Sequence, residues 1–167
     1  SVLCNDPVIY IDDRWLYEQE GELPPVKELD LTTQRPVISL TGSDITIVAS
    51  GHASLLAREA AGQLESENIL VEVVDVRVLN PFHTLEILES VNKTKNLLVI
   101  DSGWVSGGFS AEVIAKVVEQ LPVGRLNNPP ARIALPDAPA PTSNVLEKAY
   151  YTSTNDVIEA VKRILKS

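Results

Sequence analysis

The chain has 167 residues, 44% hydrophobic and 22% charged, with one cysteine, two histidines and a formal net charge of −9. That length favours a single domain able to bury its own core. The lone Cys4 excludes an intramolecular disulfide framework and a multi-cysteine zinc site, and the acidic balance argues against a nucleic-acid backbone or an anionic membrane as main partner. No apolar run approaches about 18 residues, and Ser1 to Asp6 lacks the basic start and long apolar core of a signal peptide. A reduced, cytoplasmic setting is expected.

Residues 1–43 carry eight acidic and three basic side chains, over half of the excess charge. Val8-Ile9-Tyr10-Ile11 reads as one short strand with no sheet to join, a severed edge expected to pack peripherally or pair with another chain. Asp12 to Tyr17 reads as its exit, packing on a neighbouring domain. Glu18 to Pro25, polar and ending in prolines, reads as an extended linker.

From Arg35 the pattern becomes regular. Strands are expected at Pro36–Leu40, Ile45–Ala49, Val71–Asp75, Leu97–Ile100 and Ala131–Leu135, three of them nearly continuous β-branched runs that suit parallel strands covered on both faces. Helices alternate with them. Ala53 to Leu64 is rich in alanine and leucine. Thr84 is placed to cap a helix through Asn92, with Leu85, Leu88 and Val91 inward. Ile114, Val117, Val118 and Leu121 follow helical spacing. Val157, Ile158, Val161, Ile164 and Leu165 do the same behind a capping pair at Ser153 and Asp156. Such alternation means a mostly parallel sheet with helices on both faces.

No motif defines a reaction alone. Gly103 to Gly108 links a strand to a helix, but it lacks the Lys-Ser/Thr ending of a phosphate loop and the G-x-G-x-x-G fingerprint. It reads as a tight turn whose free amides could accept a carboxylate or phosphate. His52 replaces serine where a nucleophile elbow would carry one, and reads as an exposed helix start. His83 reads as a solvated loop residue, and Asp75 and Arg77 as an ion pair or surface charges. Asp101 reads as a helix cap or turn residue, and Pro136 to Pro141 as a stiff connector.

Six dispersed stretches together change the reading. Ser43–Gly51 resembles the opening of the C-terminal domain of transketolase-like enzymes. Val71–Pro81 looks like a signature of one branch, and Ser90–Thr94, Ser106–Glu112, Pro136–Pro141 and Leu146–Tyr150 continue it in order. The branch is the beta subunit of thiamine-diphosphate-dependent 2-oxo acid dehydrogenases, acting on pyruvate or branched-chain 2-oxo acids. Asp6–Ile11 with Arg14–Tyr17 looks like the tail of that subunit's preceding, pyrimidine-binding domain. Pro81-Phe82-His83 departs from the Pro-Leu-Asp of many relatives.

The resemblance implies a three-layer α/β/α domain over residues 35–167, its five-stranded mixed sheet ordered 1-3-2-4-5 with the first strand antiparallel. Residues 1–34 would be tail and linker. It also implies a role in subunit assembly and docking, with the upstream domain, an alpha subunit, a dihydrolipoyl acyltransferase core and a second copy as partners. Thiamine diphosphate and magnesium would serve the parent enzyme, whereas this chain would supply no catalytic, cofactor-binding or metal residue. A transketolase, a deoxyxylulose-phosphate synthase or a stand-alone assembly module are the alternatives. In the synthase branch an arginine matching Arg77 faces the substrate phosphate, so Arg77 is a substrate-channel or subunit-boundary candidate, with a buried pair to Asp75 or another carboxylate as the competing role. With that strand order, the carboxyl ends of Ile45–Ala49 and Leu97–Ile100 flank a topological switch point. Gly51, His52, Asp101, Ser102, Gly107 and Gly108 are then the place to look for a ligand.

Overall fold

The computed structural model describes residues 5–22, 25 and 29–166. The chain start at Ser1, Cys4, and Leu23 and Pro24 of the expected linker lie outside them. Five strands, β1 (Val37–Leu40), β2 (Ile45–Ala49), β3 (Val71–Asp75), β4 (Leu97–Trp104) and β5 (Ala131–Leu135), form one sheet in the order β1-β3-β2-β4-β5. β1 is antiparallel to β3, and the other pairs are parallel. Helices α1 (His52–Glu65) and α5 (Thr154–Leu165) cover one face, while α2 (Leu85–Thr94) and α3 (Phe109–Gln120) cover the other. The layering follows from handedness. The β2-to-β3 and β3-to-β4 connections cross the sheet in opposite directions, so right-handed crossovers place α1 and α2 on opposite faces.

Side-chain alternation divides the core. Ile45, Ile47, Val71, Val73, Leu98 and Ile100 meet α1 and α5, whose contact face is lined by Ala53, Ala57, Ala60 and Ala61. Small side chains there let α1 lie close to the strands. Val48, Val74, Leu97 and Val99 meet Ile87, Val91, Val113 and Val117 on the other side.

That second face is where helix phasing departs from the expected pattern. In α2 the buried residues are Ile87, Ser90, Val91 and Thr94, and Leu85 is 55% exposed. The cause is a buried polar contact: the Thr46 hydroxyl lies 2.7 Å from both Ser90 Oγ and Thr94 Oγ1. These mutually satisfied hydroxyls roll the helix away from its leucine stripe. Thr84 precedes α2, yet its side chain makes no cap bond and instead meets the Gln120 amide. In α3, likewise, Val113 and Val117 are buried and Val118 is exposed.

A charged pair completes this face. Glu72, fully buried at the middle of β3, accepts from Lys93 of α2 and from the Gly42 amide. Burial pushes its carboxyl up, but the hydrogen bonds from Lys93, Ser90 and Gly42 outweigh it and hold the group below its ordinary value.

Three further departures concern single segments. Val8–Ile11 forms no strand and pairs with no described strand, and Ile9 and Ile11 are more than four-fifths exposed. β4 continues past Ile100 to Trp104, so Asp101 and Ser102 lie within a strand and not at its end. A short helix α4 (Asn144–Tyr150) follows the proline-rich connector. The expected cap of α5 is present: Ser153 and Asp156 form a reciprocal capping box. Ser153→Ala should therefore cost about 1 kcal/mol in urea unfolding, and an unchanged midpoint would deny the cap that role.

Candidate functional site

A cavity of about 310 Å³ opens at the carboxyl ends of the central strands, where the chain leaves β2 toward β3 and β4 toward β5. Its floor is apolar, built by Ala53, Leu56, Ile100 and Leu135. Its outer wall is aromatic. Trp15, from a 3-10 turn over Arg14–Leu16, stands 5.5 Å from the His52 ring and 6.1 Å from that of Tyr151. Thus His52 is half-buried under Trp15 and not an exposed helix start. The Asp12–Tyr17 stretch, expected to pack on a neighbouring domain, packs Trp15 on this one.

Of the residues expected at the switch point, His52, Asp101 and Ser102 line this cavity. Gly107 and Gly108 do not, nor does Arg77. The Asp101 carboxylate serves the opposite side of the strand: Oδ1 accepts from the Gly103 amide at 2.8 Å and Oδ2 from the Ser110 amide at 2.7 Å, inside the first turn of α3. The glycine turn expected to offer free amides thus has its own anions. Asp137, on the proline-rich connector, accepts from the Ser106 amide and hydroxyl at 3.0 and 2.6 Å. Those bonds hold its carboxyl below the ordinary range. The connector, expected to be a mere spacer, fastens the turn.

Both glycines of the turn are required, for different reasons. Gly107 has φ +70°, in the left-handed region. Gly108 lies so close to β4 that a Cβ would sit 2.2 Å from the Trp104 carbonyl oxygen and 2.9 Å from Asp101 Oδ2.

The other singled-out residues take structural places. Asp75 accepts from Ser54 Oγ at 2.7 Å. Arg77 is exposed and makes no ion pair among the described residues, so the buried-pair role is not realised. His83 is half-buried, its Nε2 2.8 Å from the Thr32 carbonyl oxygen, and not a solvated loop residue. Sequence reasoning missed Trp15 and Tyr151, which reach the cavity from segments more than a hundred residues apart; their aromatic character was visible, their convergence was not.

Residues 36–157 match the family described as transketolase, C-terminal domain. The pyruvate dehydrogenase E1 component subunit beta of Rickettsia felis is 35% identical over 164 residues, 98% of this chain and 50% of that protein. Its counterpart from Rhizobium meliloti is 32% identical over 159 residues, 95% of this chain and 34% of that protein. The chain thus spans half or less of the length of these relatives. A solved structure described as split gene transketolase, inactive beta4 tetramer, superposes with a TM-score of 0.71 at 28% identity, covering 89% of this chain and 46% of that one. This chain belongs to the family of transketolase C-terminal domains.

Proposed function

We propose, with that membership as premise, that the chain is the C-terminal part of a 2-oxo acid dehydrogenase beta subunit and serves assembly and docking in oxidative decarboxylation. The observation that carries this reading is the reach of the likeness. It extends over 98% of the chain and so runs through the segment before the sheet as well as the sheet itself. In this reading residues 1–34 are the tail of a pyrimidine-binding domain plus linker, and 35–167 are the assembly domain. Its partners are the upstream domain, an alpha subunit, a second copy and the acyltransferase core. Arg77, exposed two residues beyond β3, is assigned to the substrate channel or subunit boundary, where a guanidinium can grip a carboxylate with two parallel bonds.

Thiamine diphosphate with a divalent cation would supply the decarboxylation chemistry in the parent. The residues of this chain do not fit its diphosphate. Two amides of the turn, of Ser106 and Ser110, already face Asp137 and Asp101, whose charge repels a second anion. Among the described residues no three His, Cys, Asp or Glu side chains gather into a cation site. The role left to this chain is to hold and orient the parts that carry the cofactor.

The test is a chimera in which this chain replaces the C-terminal half of a pyruvate dehydrogenase beta subunit, expressed with its alpha subunit. Assembly and decarboxylation of pyruvate or a branched-chain 2-oxo acid are expected, by gel filtration and dye reduction. A chimera that folds but neither assembles nor turns over would overturn the reading. The second reading, a transketolase C-terminal domain, is favoured by the split-gene structural likeness. It predicts restoration of ketol transfer in the corresponding transketolase chimera instead.

A further inference from the structure

The cavity under Trp15 has a chemical polarity of its own. Three of its lining side chains, His52, Ser102 and Thr152, are hydrogen-bonding groups that make no hydrogen bond among the described residues. All three can donate. The backbone adds to this: α1 starts at the cavity with Gly51 as its cap residue and no side-chain cap; the Ser54 amide bonds the Gly51 carbonyl, while those of His52 and Ala53 have no partner among the described residues. Among the described residues no lysine or arginine lines the space, and the one lining carboxylate, Asp101, is turned to α3. The result is an open cavity with an apolar floor, flanked by indole and phenol rings, whose lining includes three unclaimed donor side chains.

Such an arrangement selects for an acceptor-rich head on an apolar body. A cationic head would meet donors and the positive end of α1, whereas a neutral alkane would leave the donors unpaired. A carboxylate offers about four acceptor sites on two oxygens and suits a helix start. The volume, about 310 Å³, lies at the small end of the range of ligand pockets. We infer that this cavity binds a small monocarboxylate with a compact apolar body, its carboxylate held by Ser102, Thr152, His52 and the first turn of α1, and its body held between Trp15 and Leu56. The inference does not depend on the parent enzyme's reaction, because binding is read on this chain directly.

Isovalerate is the probe, titrated into the 15N-labelled chain. Its neutral isostere isovaleramide and the cation isoamylammonium serve as controls. The amides of His52, Ala53, Ser102 and Thr152 and the Trp15 indole N–H should shift together in a saturable manner. Binding should be roughly threefold to tenfold weaker for the amide, the range a charge at a helix start supplies. Thr152→Val, which keeps the shape and removes one donor, should weaken isovalerate several-fold while leaving isovaleramide nearly unchanged. Trp15→Leu should weaken both. Equal or tighter binding of isoamylammonium, or no saturable shift up to about 20 mM isovalerate, would overturn the assignment. So would a Thr152→Val variant that binds isovalerate as the parent chain does.

Discussion

Lys93→Ala should cost about 3 kcal/mol of folding stability, because it leaves the Glu72 carboxylate buried without its partner. For a chain of this length the melting temperature should fall by roughly 6–12 °C. Lys93 itself is half exposed, so the loss comes from the stranded anion and not from the pair's attraction across solvent. Glu72→Gln provides the contrast. It removes the buried charge while Lys93 keeps its hydration, and should cost only about 1 kcal/mol. The two variants also differ with pH. In the intact chain the Glu72 carboxyl is held below its ordinary 4.5. Its contribution is therefore complete above that value and is lost as pH falls through the lower folded-state value. Without Lys93, burial is opposed only by the Ser90 and Gly42 hydrogen bonds and should push the group up, so the folded state should gain by taking up a proton. The deficit of Lys93→Ala should shrink as pH falls from 7 toward 4. Equal losses for the two variants, independent of pH, would mean that the pair is not what fastens α2 to β3.

Gly108→Ala should be comparably severe, about 3 kcal/mol, because the added methyl meets the Trp104 carbonyl, a backbone atom that cannot rotate aside. The start of α3 must move, and Asp101 with it, since that carboxylate bonds the Ser110 amide. Gly107→Ala acts by another route: nothing lies within 4 Å of the added carbon, but φ is +70°. Its cost should be about 1–2 kcal/mol. Chemical denaturation of both variants separates the mechanisms. If Gly107→Ala proves the more damaging, close packing of the turn on β4 is not the reason for glycine at 108.

The extent to which the sequence foretold these features depends on how local their causes are. All five strands of the sheet lay in short apolar runs, three of them nearly continuous and β-branched, and covering on both faces makes such runs conspicuous. The phase of α2 was not legible in this way, because Ser90 and Thr94 are buried by a hydroxyl on β2, 44 and 48 residues away. Polar residues turned inward defeat a pattern built on hydrophobicity. At the site, topology pointed to Gly51, His52, Asp101, Ser102, Gly107 and Gly108; His52, Asp101 and Ser102 line the cavity and the three glycines do not. The direction of the Asp101 carboxylate could not be foreseen, because it follows from β4 running on to Trp104. Val8–Ile11 shows the converse limit: strand-like residues stay exposed and form no strand where they pair with no described edge.

The pairing of α1 with α5 has a consequence for how the chain is made. Thr154 bonds Glu59, and Lys162 bonds Glu67, each across 95 residues; Val157, Ala160, Val161 and Ile164 complete the core on that side of the sheet. During synthesis α1, β2, β3 and β4 leave the ribosome well before α5 exists. The alanine face of α1 and its strand neighbours therefore pass through an interval with one flank bare. Closing that flank is a late, long-range event, of the kind that slows folding. A holding chaperone would find its surface on the nascent chain there, along the groove that α5 later fills.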